Sequence, residues 1–175
     1  MSEPHWVTLG ERVVHDGWVR VLERDYLLPD GRTTTWELRA AGDSVGVLPL
    51  TPDGQVVLVR EFRPGPDRRI VSIPGGLVEP GETPREAAVR ELREETGFEA
   101  ESLEVVTTVV QGSSTQRQFA AVARGCRRVG DQQLDTYEDC EVLVVPPTEL
   151  LRLLRAGEMS GTQLIWPALD AAGLL

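Results

Sequence analysis

The sequence predicts an α/β (α+β) fold in which a mixed β-sheet lies between α-helices, with a small β subdomain ahead of it. Three observations carry this expectation. Apolar or alternating runs separated by Pro-Asp-Gly signals occupy much of residues 18–62, the pattern of strands joined by turns. A helix with both ends marked in the sequence follows the last of those strands. Further strand-like runs then give way to helical segments near the C-terminus.

Taken in order, Trp18–Leu28, the turn Pro29-Asp30-Gly31 and Thr33–Arg39 read as a hairpin. Val45–Leu50 and Val56–Phe62 flank Thr51-Pro52-Asp53-Gly54 and read as central strands, and Ile70–Ile73 is a short strand that stops at Pro74-Gly75-Gly76. The helix begins at Thr83-Pro84-Arg85-Glu86. These residues supply an N-cap, a proline at the first helical position and the glutamate of a capping box. Gly97 should stop it. Ala87, Ala88 and Leu92 form its apolar stripe. Strands at Leu103–Val110, Phe119–Ala123 and Glu141–Val145 precede helices at Thr148–Ala156 and Gln163–Ala172, the second of which Pro167 kinks or starts. The expected organisation is a hairpin subdomain over 1–42 and a main domain over 43–175.

Composition removes whole classes of function. Among 175 residues, 28 acidic and 18 basic side chains leave a net charge of −10, which opposes binding to nucleic acid or anionic membrane. Every basic residue other than histidine is arginine, so a P-loop lysine and a pyridoxal Schiff base are excluded. His5 and His15 lie outside any motif, which leaves acid–base chemistry to carboxylates. Cys126 and Cys140 lack the spacing of a zinc site or a disulfide framework. Met1–Trp6 does not read as a signal peptide and no apolar run reaches membrane-spanning length, so a cytoplasmic protein is expected.

Residues 76–98 read GLVEPGETPREAAVRELREETGF. On a helix Glu91, Glu94 and Glu95 share one face, where like charges repel. A solvated face offset by Arg85, Arg90 and Arg93 is one reading. Coordination of a hard cation, Mg²⁺ or Mn²⁺, by oxygen ligands is the other.

The spacing favours the second reading, because the segment resembles the Nudix box. Gly76, Glu82, Arg90, Glu91, Leu92, Glu94, Glu95 and Gly97 match it, with Phe98 at the final apolar position. At roughly 7% per fixed position, such a match arises by chance with a probability on the order of 10⁻⁸. The resemblance implies a Nudix fold and a Mg²⁺-dependent pyrophosphohydrolase. It further implies that Glu91 and Glu95 are the main metal ligands, joined by Glu94 and the carbonyl of Gly75. Arg90 would orient the carboxylates, and Glu82 would brace the loop.

Outside the box, Val45–Leu50, Val57–Arg63 and Ile73–Gly76 look like the ADP-ribose pyrophosphatase subgroup. That likeness implies a nucleoside diphosphate sugar as substrate and a homodimer that exchanges its N-terminal β subdomain. Arg60 and Arg63, read as lying on one side of a strand leading to the site, are candidate substrate ligands. Trp18, Trp36 and Tyr26 are candidates to stack a base or to pack in a core. The acidic run before the last strand is where the subgroup carries its general base. Glu138 is the expected base, with Asp139 and Glu141 as neighbours able to take the role or to contact substrate. Two subgroup hallmarks, a proline and an acidic residue, are missing from Gln111–Gln116, which keeps GDP-mannose and dinucleotides beside ADP-ribose as implied substrates.

Overall fold

The computed structural model describes residues 5–136 and 139–175. Two compact units result, one built from the chain up to residue 42 together with 110–117, the other from 43–109 and 118–175.

The smaller unit is an antiparallel meander of β1 (Val7–Asp16), β2 (Arg20–Leu27) and β3 (Thr33–Ala40). β2 and β3 form the expected hairpin, closed by Gly31 at φ 84°, whose N–H donates to the Leu28 carbonyl at 3.0 Å. Leu22 and Leu38 are cross-strand partners and supply its buried apolar contact. β1 is an addition to the sequence reading, which named its first strand from Trp18. Its pairing with β2 carries charge instead of apolar alternation: Arg12 pairs with Glu23 and Asp25, and Glu11 with Arg24. Residues 110–117 join this unit through the end of β3. Arg39 N–H donates to Ser113 O at 2.9 Å, Thr115 N–H to Arg39 O at 3.0 Å, and the Gln116 amide to Gly42 O at 2.7 Å.

The larger unit contains β4 (Ser44–Leu50), β5 (Val56–Arg63), β6 (Arg68–Ser72), α1 (Pro84–Thr96), β7 (Phe98–Glu99), β8 (Ser102–Val110), β9 (Arg117–Arg124), β10 (Arg127–Arg128), β11 (Glu141–Val145), α2 (Pro147–Arg155) and α3 (Thr162–Ala172). Its main sheet runs β11-β5-β4-β9-β8, with β6 also paired to β5. β4 and β9 are parallel, whereas β5 is antiparallel to β4, β6 and β11. Apolar residues fill both faces of the central strands, so their sequences read as unbroken apolar runs. Val45, Val47, Val57 and Ala121 face α1 through Ala87, Ala88 and Leu92. Leu48, Leu58 and Val122 face α2 and α3 through Leu150, Leu154, Ile165 and Leu169. The sheet is thus held between helical layers, as expected. Pro167 lies inside α3, which begins at Thr162. Cys126 and Cys140 are buried. Among the described residues, no helix is long and apolar enough to cross a membrane.

Candidate active site

The site forms where the strand after β5 runs out beside β4. Val45 N–H donates to Gly76 O at 2.9 Å and Val47 N–H to Pro74 O at 2.8 Å, which lays the Pro74–Gly76 turn along β4. The backbones approach so closely that a Cβ on Gly75 would stand 2.1 Å from Val45 O. A Cβ on Gly76 would stand 2.3 Å from a carboxylate oxygen of Glu91. These two glycines let the acidic helix reach the turn.

α1 is fixed at both ends by the signals read from the sequence. The Thr83 hydroxyl accepts from Glu86 N–H at 3.2 Å, and the Glu86 carboxylate accepts from Thr83 N–H at 2.8 Å. The Thr83 hydroxyl also donates to the Glu86 carboxylate at 2.7 Å, and this bond first, with that from Thr83 N–H, holds the Glu86 carboxyl below the usual range. Gly97 ends the helix at φ 75°, and its bare Cα also admits the Gly130 carbonyl, which a Cβ would meet at 2.3 Å.

Between these ends Glu91 and Glu95 are 7% and 4% exposed. Glu95 accepts a hydrogen bond from Gly75 N–H at 2.8 Å, so both carboxylates reach the same two-glycine turn. Arg90 spreads its guanidinium over Glu82 (3.0 and 3.1 Å), Glu91 (2.8 Å), Glu94 (3.0 Å) and the Leu77 carbonyl (2.9 Å). Arg90 is raised well above its ordinary value, chiefly by Glu82, which in turn is held low by Arg90. Glu82 also accepts from Glu79 N–H at 3.0 Å, tying the loop to the helix. Among the described residues no three acidic, histidine or cysteine side chains converge as a formed metal centre. The donor set nevertheless suits a hard divalent cation: it consists of oxygen atoms only, and the single charge of Arg90 is divided among three carboxylates beside the buried Glu95.

The remaining sequence candidates fall into separate pairs. Register between β5 and β6 is unbroken from Val59 to Arg63. Arg60 and Arg63, three residues apart, therefore project from opposite faces of β5, and the expectation that they share a side does not hold. Arg60 stands opposite Glu141 on β11 and donates to it from Nε at 2.9 Å and Nη2 at 2.5 Å. Arg63 pairs with Glu61, two positions away on its own face. Asp139 pairs with Arg69. Glu138, together with Tyr137, lies outside the described residues.

Trp18 stands fully in solvent between β1 and β2, in neither a core nor a stack. Trp36 and Tyr26 flank Trp6, with ring centroids 6.2 and 5.5 Å from it. Sequence reasoning overlooked Glu61, 8% exposed, whose carboxylate lies 3.9 Å from Cys140 Sγ. The only hint was an acidic residue at the end of an apolar strand. It also overlooked Gln132, whose side-chain amide donates to Glu95 O at 2.5 Å and Cys140 O at 2.9 Å, joining the end of α1 to the start of β11.

Comparison with known proteins agrees with this architecture. A family model described as the NUDIX domain matches residues 41–163. An ADP-ribose pyrophosphatase of Bacillus subtilis is 33% identical over 138 residues, covering 77% of this chain and 75% of that protein. The ADP-sugar pyrophosphatase of Mus musculus is 31% identical over 180 aligned residues, covering 87% and 78% respectively. The crystal structure of an ADP compounds hydrolase matches with a TM-score of 0.81 over 97% of both chains, at 22% identity, and speaks for the fold. The chain belongs to the Nudix family, as a pyrophosphohydrolase.

Proposed function

We propose that the chain is a Mg²⁺-dependent hydrolase of nucleoside diphosphate sugars, with ADP-ribose first among them, and that it releases a nucleoside monophosphate and a sugar phosphate. The observation that carries this reading is the convergence of two buried carboxylates, Glu91 and Glu95, on the Gly75–Gly76 turn. The choice of ADP-ribose is supported by the names of the two relatives described above.

In this reading Glu91, Glu95 and Glu94, with the Gly75 carbonyl, hold Mg²⁺, and the same oxygens accept Mn²⁺. Bound there, a divalent ion supplies neutralisation of the diphosphate and a more acidic water. The chain's own residues do the rest. Arg90 keeps three carboxylates from turning away, and Glu82 braces the loop that carries Gly76. Arg63 exchanges its contact with Glu61 for a phosphate oxygen, and Arg60 does so less readily because Glu141 engages two of its N–H groups. Glu138 takes the proton of the attacking water as the new O–P bond forms and the bridging P–O bond breaks.

The protein acts as a homodimer through the subdomain of residues 1–42 in a cytoplasmic setting, in line with a chain that carries only two cysteines and no disulfide-framework spacing. A panel of nucleoside diphosphate sugars and dinucleotides, incubated with Mg²⁺ and assayed for nucleoside monophosphate, tests the activity. ADP-ribose should be turned over fastest, and chelation should abolish turnover. Release of monophosphate from none of the panel would overturn the reading.

A further inference from the structure

The last turn of α1 carries Glu94 and Glu95, yet the apolar stripe that packs this helix on the sheet, Ala87, Ala88 and Leu92, stops before it. That turn is held by polar ties. A helix leaves its final carbonyls without partners of its own, and residues 129–133 cross the end of α1 and supply the donors. Val129 N–H donates to Gly97 O at 2.9 Å and Gln133 N–H to Glu94 O at 2.8 Å. Those are main-chain donors, which any residue but proline offers. The Glu95 carbonyl differs, because it accepts at 2.5 Å from the side-chain amide of Gln132.

The same Nε2 donates to Cys140 O at 2.9 Å. One amide nitrogen thus joins the end of α1 to the residue before β11, which pairs with β5 from Glu141 onward. Glu95 is gripped at both ends: its carboxylate accepts from Gly75 N–H at 2.8 Å, and its carbonyl is tied through Gln132 to the edge of the sheet. Helix ends fray where their last carbonyls lack partners. A frayed turn here would carry the Glu95 carboxylate away from the glycines.

Resting on the reading of Glu91 and Glu95 as ligands of a divalent cation, we propose that Gln132 is a positioning residue for that cation. It acts through the backbone of Glu95 and keeps the carboxylate at the Gly75–Gly76 turn. Both hydrogens of its amide are engaged by carbonyls of two different elements, so its effect on the ion is indirect, like that of other groups that orient a ligand from behind.

Gln132→Met keeps the length and bulk of the side chain and removes both bonds. Arg93→Met is the control: it cuts another tie between the same segment and α1, Arg93 Nη1 to Asp131 O at 3.0 Å, and leaves the Glu95 carbonyl untouched. Both variants should lose a few degrees of melting temperature, by similar amounts. Only Gln132→Met should weaken Mn²⁺ binding to the substrate-free protein, about fivefold to tenfold by calorimetry. In that variant the Gly75 amide of the metal-free protein should exchange its hydrogen faster. The Mg²⁺ concentration needed for half-maximal turnover should rise by the factor seen for Mn²⁺, with KM for ADP-ribose at saturating Mg²⁺ unchanged. Wild-type Mn²⁺ affinity in Gln132→Met, or an equal loss in Arg93→Met, would overturn the positioning role and leave the metal site standing. A wild-type protein that binds no Mn²⁺ would overturn both.

Discussion

At the level of single residues, the two carboxylates at the glycine turn bear different loads. Glu95→Gln keeps the bond from Gly75 N–H and removes a charge. The fold should therefore survive while kcat falls by at least about 10²-fold, as expected when a strong electrostatic interaction is lost; circular dichroism and steady-state rates with Mg²⁺ check both halves. Gly76→Ala is a steric test. The new methyl would lie 2.3 Å from the Glu91 carboxylate, so Glu91 must swing aside, and activity should drop at least about tenfold with only a modest loss of stability. A variant as active as the wild type would show that the Glu91 position is irrelevant. Glu138→Gln should lower kcat by roughly 10²–10⁴-fold with little change in binding, while Asp139→Asn, which breaks the pair with Arg69, should do much less. The reverse order would move the base to Asp139. The convergence of Glu91 and Glu95 on the glycine turn was legible because the box sets them at helical spacing within one segment. Glu61 and Gln132 were not, because they lie outside the box and come close to Cys140 and the end of α1 only in the folded chain.

At the level of elements, α1 was readable from end to end, since Thr83, Pro84, Glu86 and Gly97 each act through the backbone beside them. Thr83→Ala should remove the side-chain bond to Glu86 N–H and cost about 1 kcal/mol. In a domain of this size that is a fall in Tm of about 2–4 °C, with kcat nearly unchanged; a larger loss of activity than of stability would mean that the cap also sets the angle of Glu91. β1 escaped notice because it is paired by charges to β2 and exposes residues along almost its whole length, so it lacks the apolar alternation that marks a half-buried strand. The two arginines of β5 were placed on one side by proximity in sequence. A strand turns over at every residue, so an odd separation puts them on opposite faces.

At the level of the whole molecule, the smaller unit shows water an unusual run of apolar side chains, including Trp6, Val7, Leu9, Val13, Val14, Trp18 and Trp36. A solvent-facing patch of this kind is the mark of an interaction surface. Light scattering at micromolar concentration should give twice the chain mass of 19.3 kDa, and Trp18→Ser combined with Val14→Ser should shift the protein toward monomer; a fully active wild-type monomer would contradict the proposed dimer. The smaller unit is also discontinuous, for residues 110–117 return to bracket the end of β3. On the ribosome the meander emerges early but stays incomplete until residue 117 has left the exit tunnel, after the entire acidic helix has been made. A fragment beginning at residue 43 would leave the amide hydrogens of that returning segment without the Arg39 and Gly42 carbonyls they now meet, and a protease cut near Gly42 would leave two pieces still hydrogen-bonded to each other. The small sheet is therefore no detachable tag on the enzyme; the chain stitches it in twice.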